Sequence, residues 1–409
     1  MAQSPTVPEG WEVKTLGEVC ALKNGFAFKS SKFRDKGTPI LRISNIQNEN
    51  IDTRKIVYTD PNDYKEDLDK YKVVRGDLLI AMSGATTGKI GFNNSDTTFL
   101  LNQRVGKFEP SETLSKNYLF YFLLNRVEES LSIAAGAAQP NLGTQQIKEF
   151  QIFLPPLPEQ ERIVSVLDKA FEGIAEAVAQ AEKNLNNSKE LFQSVLDKIF
   201  TEKGDDWEEK TLGEVCEVLN GFAFKSGDAV NESNVQVVRM GNLYKNQLNL
   251  DRKPVFYPAN FVSQFANYLL NEGDIIMSLT GTVGKKDYGY AVRIPNTNRR
   301  LLLNQRIAKL HSHEDDLDDR YLLHYLRSEI LLEELYSSAH GTRQANISSG
   351  SLKNLPIPLP PLPEQKEIVK KLDALSEETK RLELIYQKKL DALSELKQSL
   401  LKKAFAGEL

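Results

Sequence analysis

The chain has 409 residues, 40 % of them hydrophobic and 26 % charged, with a formal net charge of −4, which is the balance of a soluble globular protein long enough for two or more cores. No apolar run approaches the roughly eighteen residues that a membrane span needs. The opening Met1-Ala2-Gln3-Ser4-Pro5 lacks the basic start and apolar core of a signal peptide, and two cysteines offer no disulfide framework and fit a reducing cytoplasm.

The acidic balance weighs against a free-standing nucleic-acid binder held by charge alone, although it leaves room for local basic patches.

In chain order, the first strong signal is an opening that returns. Residues 11–30, Trp11-Glu-Val-Lys-Thr-Leu-Gly-Glu-Val-Cys20 through Asn24-Gly-Phe-Ala-Phe-Lys-Ser30, reappear at 207–226 with sixteen identities in twenty positions. Cys20 and Cys216 occupy the same place in this repeat and are expected to be buried thiols. A second anchor, Leu154-Pro-Pro-Leu-Pro-Glu-Gln160, recurs at Leu359-Pro-Pro-Leu-Pro-Glu-Gln365. The chain is a duplication of two units of roughly two hundred residues, each a globular part followed by a long helix. The expected segments are 1–153, 154–203, 204–358 and 359–409.

Between the anchors a few echoes stand out from divergent sequence. Arg42 and Asn45 parallel Arg239 and Asn242; Gly76-Asp parallels Gly273-Asp, followed by Ser83-Gly84 and Thr280-Gly281. Leu101-Asn102-Gln103-Arg104 parallels Leu303-Asn304-Gln305-Arg306, and Gln139-Pro-Asn141 parallels Gln344-Ala-Asn346. Residues 46–75 and 243–272 share almost nothing. A shared framework with unshared inserts suggests one fold presenting two different surfaces. Each globular part reads as mixed α and β: strands at 72–74 and 78–82, and helices over 118–131 and 321–336, stopped near Gly136 and Gly341.

After each proline-rich turn, apolar residues fall at alternating three- and four-residue spacing. The first copy gives Ile163, Leu167, Ile174, Leu185 and Phe192, with Ser188 in the seam; the second gives Ile368, Leu372, Leu375, Leu382 and Leu396, with Thr379 and Lys389 as lapses. This is a coiled-coil stripe. About forty residues make a rod of about 60 Å, which needs a partner, and the other copy is the obvious one. Antiparallel packing would relate the units by a pseudo-twofold axis.

Searches for chemistry fail. Gly84-Ala-Thr-Thr-Gly88-Lys89 is one residue short of a phosphate-binding loop and has Ile90 where a hydroxyl residue is required, so a tight turn is expected. His311, His313, His324 and His340 form no metal-ligand spacing, and no nucleophile elbow or dinucleotide fingerprint is found. No catalytic residue and no metal ligand is assigned.

The layout resembles the specificity (S) subunit of type I restriction-modification systems. The resemblance rests on the Trp-x-x-x-x-Leu-Gly-Glu-Val opening, the Gly-Asp strand with its Ser/Thr-Gly turn, the Gln-x-Asn motif before Leu-Pro-Pro-Leu, and the ending Lys403-Ala-Phe-Ala-Gly-Glu-Leu409. It covers nearly the whole chain. It implies an α+β fold of two target recognition domains separated by two long helices in an antiparallel coiled coil. Each domain would read one half of a bipartite, asymmetric site in double-stranded DNA. The chain would be non-catalytic and cytoplasmic and bind no cofactor. Two modification (M) subunits, carrying S-adenosylmethionine for adenine methylation, and the ATP- and Mg-dependent restriction (R) subunits would dock on it.

Base reading wants Arg or Lys for guanine and Asn or Gln for adenine. The repeated Asn102, Gln103, Arg104, Gln139 and Asn141, with Asn304, Gln305, Arg306, Gln344 and Asn346, offer these types. Being repeated, they either read bases or order the loops and grip backbone. Lys32, Arg34, Arg299, Arg300 and Arg343 are candidates for what differs between half-sites. Lys29, Arg42, Asn45, Lys89, Lys225, Arg239, Asn242, Lys285 and Lys286 complete the candidate DNA-binding set. The same repeat and helices also suit a tandem-domain protein-interaction scaffold without a DNA role.

Overall fold

The computed structural model describes residues 7–47, 49–126, 141–313, 316–339, 341 and 344–409. Its backbone contacts divide into two units, Met1–Ala181 with Lys388–Leu409, and Glu182–Gln387. Both boundaries fall inside the two long helices, Leu157–Thr201 and Leu362–Ala406. Each unit therefore holds one globular part, the entry of one long helix and the exit of the other, rather than a domain followed by its own helix.

The two units repeat one topology. In the first, Glu12–Thr15 pairs with Gln151–Leu154, and Cys20–Asn24, Val105–Pro110, Leu78–Ala81 and Ile90–Phe92 form an antiparallel sheet in that order. A second sheet runs Val57–Thr59, Thr38–Leu41, Phe99–Leu101, Lys72–Val73, with the middle pair parallel. The second unit has the same two orders, Cys216–Asn220, Ile307–Ser312, Ile275–Ser278, Ala291–Arg293 and Phe256–Tyr257, Val235–Val238, Arg300–Leu303, Leu269–Leu270.

The repeated motifs explain themselves as framework. In Thr15-Leu-Gly-Glu18 the glutamate reaches back to the Thr15 amide and hydroxyl at 2.6 and 2.7 Å, and Glu214 does the same to Thr211, so the short helices Leu16–Val19 and Leu212–Val215 start at a fixed place. Gly25 and Gly221 are obligatory: a Cβ there would lie 2.0 Å from the carbonyl oxygen of Leu101 or Asn304. The glycine lets the Asn-Gly-Phe segment run against the Asn-Gln-Arg turn, where Gln103 and Gln305 donate their amides to Phe26 and Phe222. Phe26 and Phe28 then pack edge-on with Tyr64, and Phe222 and Phe224 pack with Phe265. The Gln-x-Asn segment meets the Ser/Thr-Gly turn: Ser83 bridges Asn141, and Thr280–Thr282 pairs with Gln344–Asn346. Both cysteines are buried, and desolvation pushes their thiols up to about 12, which leaves them inert.

The proline-rich entry hides a device. Gln160 is fully buried; its amide nitrogen donates to Thr113 O and Pro155 O, and its oxygen accepts from the Ser115 amide. Gln365 repeats this with Asp316 O, Pro360 O and the Asp318 amide. Each long helix is thus pinned where it leaves its sheet. Tyr118 and Tyr321 donate to the carbonyls of Phe153 and Pro358 just upstream. The far end of the other helix closes each core: Phe405 packs on Tyr118 and Phe122, Phe200 on Tyr321 and Tyr325. In the first unit Arg162 donates to Leu409 O while Lys397 lies over Phe171, so the two helical segments pass in opposite directions.

Several expectations need correction. Of the expected seam, Ile163, Leu167, Ile368 and Leu372 are buried in the globular cores of their units and Ile174 is also buried, while Leu185, Phe192, Leu375 and Leu382 are half-buried. Leu396 is 47 % exposed and does not belong to it. The inward row there runs Lys397, Leu401, Ala404, because 3.6 residues per turn drifts away from a strict heptad. Thr379, read as a lapse, is buried, and its hydroxyl is satisfied by Leu375 O, as Ser188 is by Asn184 O. The helix expected over 321–336 is two, Asp319–Tyr325 and Glu329–Ser337, broken where Ser328 caps the second. The helix expected over 118–131 is Lys116–Asn125 among the described residues; its end and Gly136 lie outside them.

One difference between the units is electrostatic. Tyr121 donates to Asp168 Oδ1 at 2.5 Å; at the equivalent place His324, 5 % exposed, puts Nε2 3.0 Å from Asp373 Oδ1, with Arg320 2.7 Å from Oδ2. Burial lowers the His324 pKa against the raising effect of Asp373. The unfolded chain therefore takes up the proton first, and this stabilisation is present above about pH 6.5 and lost as pH falls below it.

Two tests follow. Gln365→Leu leaves three backbone groups, one buried and two partly buried, without their partner and is expected to cost on the order of 2 kcal/mol in denaturant unfolding of the full chain, whereas exposed Lys402→Ala stays within about 0.5 kcal/mol. Melting curves are expected to shift downward on acidification from about pH 7.5 to 5, and His324→Tyr, which copies the first unit, to flatten that part of the dependence.

Candidate nucleic-acid interface

In both units the loop after the parallel strand and the Asn-Gln-Arg turn lie side by side. In the second unit they enclose an open cavity of about 500 Å³ lined by Arg239, Asn242, Arg252, Lys253, Gln305 and Arg306, with Asn304 at its wall. Arg252, Lys253, Gln305 and Arg306 are exposed. Among the described residues none of the four cations is ion-paired with a carboxylate; Arg239 instead donates to Lys253 O at 2.7 Å. Four unpaired cations in one concavity of an acidic chain make a site for a polyanion.

The equivalent face of the first unit is built differently. Arg42 is half-buried over the Phe33 ring at 5.8 Å. Arg54 is held in a two-pronged pair by Asp52 at 2.9 and 2.8 Å, and the guanidinium holds that carboxyl down at about 2. Lys89 donates to Gln47 at 2.8 Å, on a turn whose Thr86 hydroxyl is bound to Ile43 O, so the Gly84–Lys89 stretch is a packed turn and no phosphate loop. Arg104 is exposed at its place in the repeated turn, next to Asn102 and Gln103.

Several candidates leave the set on physical grounds. Asn45 and Asn242 are 2 % exposed, and their side chains are consumed in closing the loop: each oxygen accepts from the Arg42 or Arg239 amide, and each nitrogen donates to Asp52 O or Asn249 O at 2.9 Å. Arg34 is paired with Asp60 and Asp63, and Lys32 donates to Asp63 O beneath the Tyr64 ring. Arg299 is consumed by Asp251 at 2.6 Å and Gln236 at 2.9 Å. Asn346 accepts from Thr280 and donates to Gln344 O, so it fixes the turn. Asn304 accepts the Gln305 amide within its own turn. Lys286 lies 3.8 Å from Glu329 and against Tyr336.

Lys29, Lys225, Lys285, Arg300, Asn141 and Gln344 are exposed and stay available. Gln139 and Arg343 lie outside the described residues. Arg252 and Lys253 were missed. Their signal was a consecutive basic pair inside the unshared 243–272 insert.

A duplicated α+β frame with divergent, locally cationic loops is that of a two-headed DNA-recognition protein. The model for the type I restriction modification DNA specificity domain matches residues 8–186 and 204–389, and the chain belongs to that family. The EcoBI specificity subunit of Escherichia coli is 23 % identical over 99 % of this chain and 87 % of its own length. Two solved structures share the fold. One, from work on complex assembly and conformational transition of the type I restriction-modification system, has a TM-score of 0.78 at 21 % identity and covers 99 % of this chain and 100 % of its own. The other, the HsdS subunit from Thermoanaerobacter tengcongensis, has a TM-score of 0.58 at 22 % identity with full coverage of both. Family membership removes the ground for a scaffold without a DNA role. No helix among the described residues is long and apolar enough to cross a membrane.

Proposed function

We propose that the chain is the non-catalytic sequence reader of a type I restriction-modification complex, each unit taking one half of a bipartite, asymmetric DNA site. The observation that carries this reading is the identical strand order of the two units beneath unlike loops, one of which holds the cationic cavity at Arg239–Arg306. Identical frames give both half-sites the same docking; unlike loops give them different sequences.

In this reading the two long helices set the spacing between half-sites and, with the framework shared by both units, carry two modification subunits and further restriction subunits in the cytoplasm. S-adenosylmethionine, ATP and Mg²⁺ belong to those partners, and this chain contributes no reacting group. The acidic balance of −4 then fits, since partner subunits would share the phosphate contacts around the duplex.

Exchanging residues 207–355 for those of a relative is expected to change one half of the methylated sequence and leave the other intact; a change in both halves, or in neither, contradicts the assignment. An insertion of about four residues, one helical turn, near Asn186-Asn187 is expected to change the spacer and keep both half-sites. Methylome sequencing reads both outcomes, and an unchanged spacer rules out the helices as its ruler.

A further inference from the structure

We infer that Arg306 is a specificity-determining residue of the second unit and reads a guanine in that unit's half-site, a role its repeat partner Arg104 does not share. The inference rests on the DNA-reading role proposed above and assigns one residue and one base class to it.

Its starting point is a backbone difference between two copies of one motif. Asn-Gln-Arg stands at 102–104 and 304–306. Arg306 has φ +71°, a left-handed conformation that a long L side chain rarely adopts, whereas Arg104 does not enter that region. The two turns close differently: in the first the Val105 amide donates to Asn102 O at 2.9 Å, and in the second the Gln305 amide donates to Asn304 Oδ1 at 2.9 Å. Arg104 and Arg306 accept the same backbone hydrogen bond, from the Met82 amide at 3.0 Å and the Leu279 amide at 2.9 Å. The second turn therefore holds Arg306 in a conformation that its twin does not adopt, and such outliers collect at functional sites.

The second observation is where that residue lies. Arg306 is exposed, has no ion-pair partner among the described residues, and lines the open cavity of about 500 Å³. Its turn is rigid: the Gln305 amide donates to Phe222 O at 2.8 Å and to Asn304 Oδ1 at 2.9 Å. A bidentate contact to guanine O6 and N7 needs a fixed, planar fork, which arginine on a braced turn supplies. Arg252 and Lys253 line the same cavity from an exposed loop, Lys253 at φ +48°, and are the candidates for phosphate contact. The cavity thus pairs one braced fork with loop cations, which is the division between base reading and backbone grip.

The test uses the full chain in its complex with the methyltransferase partners, with methylated sites mapped on random-sequence DNA. The variants are Arg306→Gln, Arg306→Lys, Arg104→Gln and the double variant Arg252→Gln/Lys253→Gln. The expected result for both Arg306 variants is relaxation at one guanine of one half-site, by roughly 5- to 150-fold in discrimination, with the other half-site unchanged. Arg306→Lys keeps the charge, so its relaxation separates loss of the fork from loss of charge or fold. Arg104→Gln is expected to leave that guanine fully specified. The double variant is expected to weaken all sites alike and to flatten the salt dependence of binding. The inference is overturned if the Arg306 variants keep the full motif, if they weaken all sites alike with a flatter salt dependence, or if the half-site that changes on exchange of 207–355 holds no guanine. A wild-type complex that methylates no bipartite site overturns the parent reading together with this one.

Discussion

In each unit the long helix is tied to the globular part by one buried side-chain amide. Gln160 and Gln365 sit at the first turn of the two long helices, fully enclosed, and each bonds both a carbonyl of the proline turn and the loop that leads into an earlier helix, Lys116–Asn125 or Asp319–Tyr325. Three hydrogen bonds made inside a protein interior fix direction as well as distance, and a hydrophobic contact of the same size would fix neither. Because the helix entry is pinned to the sheet, the loops at the sheet's ends are held in register with the helix. A surface pair such as Lys397 with Glu49, both about one-third exposed, adds little to that.

The framework and the reading surface obey different rules. Framework motifs are repeated because each solves a packing problem that occurs twice: glycine where one backbone passes another, glutamate at the short helix, tyrosine and glutamine beneath the proline turn. The candidate reading surface diverges, and its cations meet different fates in the two units. The inserts of the first unit pair Arg54 and Arg34 with Asp52, Asp60 and Asp63 at the surface; the insert of the second leaves Arg252 and Lys253 without a carboxylate partner among the described residues.

The repeat in the sequence foretold that both units share one fold and where the long helices begin, since identity at a fixed offset implies identity of fold; the strand order and the meeting of Asn141 and Asn346 with the Ser/Thr-Gly turn appear only in three dimensions. It was a poor guide to the site. Arg34, Lys32 and Arg299 look like free cations in one dimension because their partners, Asp63 and Asp251, are brought in by tertiary contact across 29 and 48 positions. Asn45 and Asn242 stood among the DNA-binding candidates, when their repetition marked loop closure. Gln160 and Gln365 were in plain view and went unread, since a polar residue beside Pro-Glu looks solvated until the sheet closes over it. Leu396 was misplaced because a heptad template was kept where the helix follows its own 3.6-residue period.

The central claim is that one chain specifies two separate sequences at a set distance. Base-resolution mapping of methylated adenine in a genome that carries this chain and its partner subunits tests it most directly. The account predicts two short specified sequences, unlike each other, divided by an unspecified spacer of constant length, both vanishing when the chain is deleted. A single continuous motif, or methylation that survives the deletion, would contradict it.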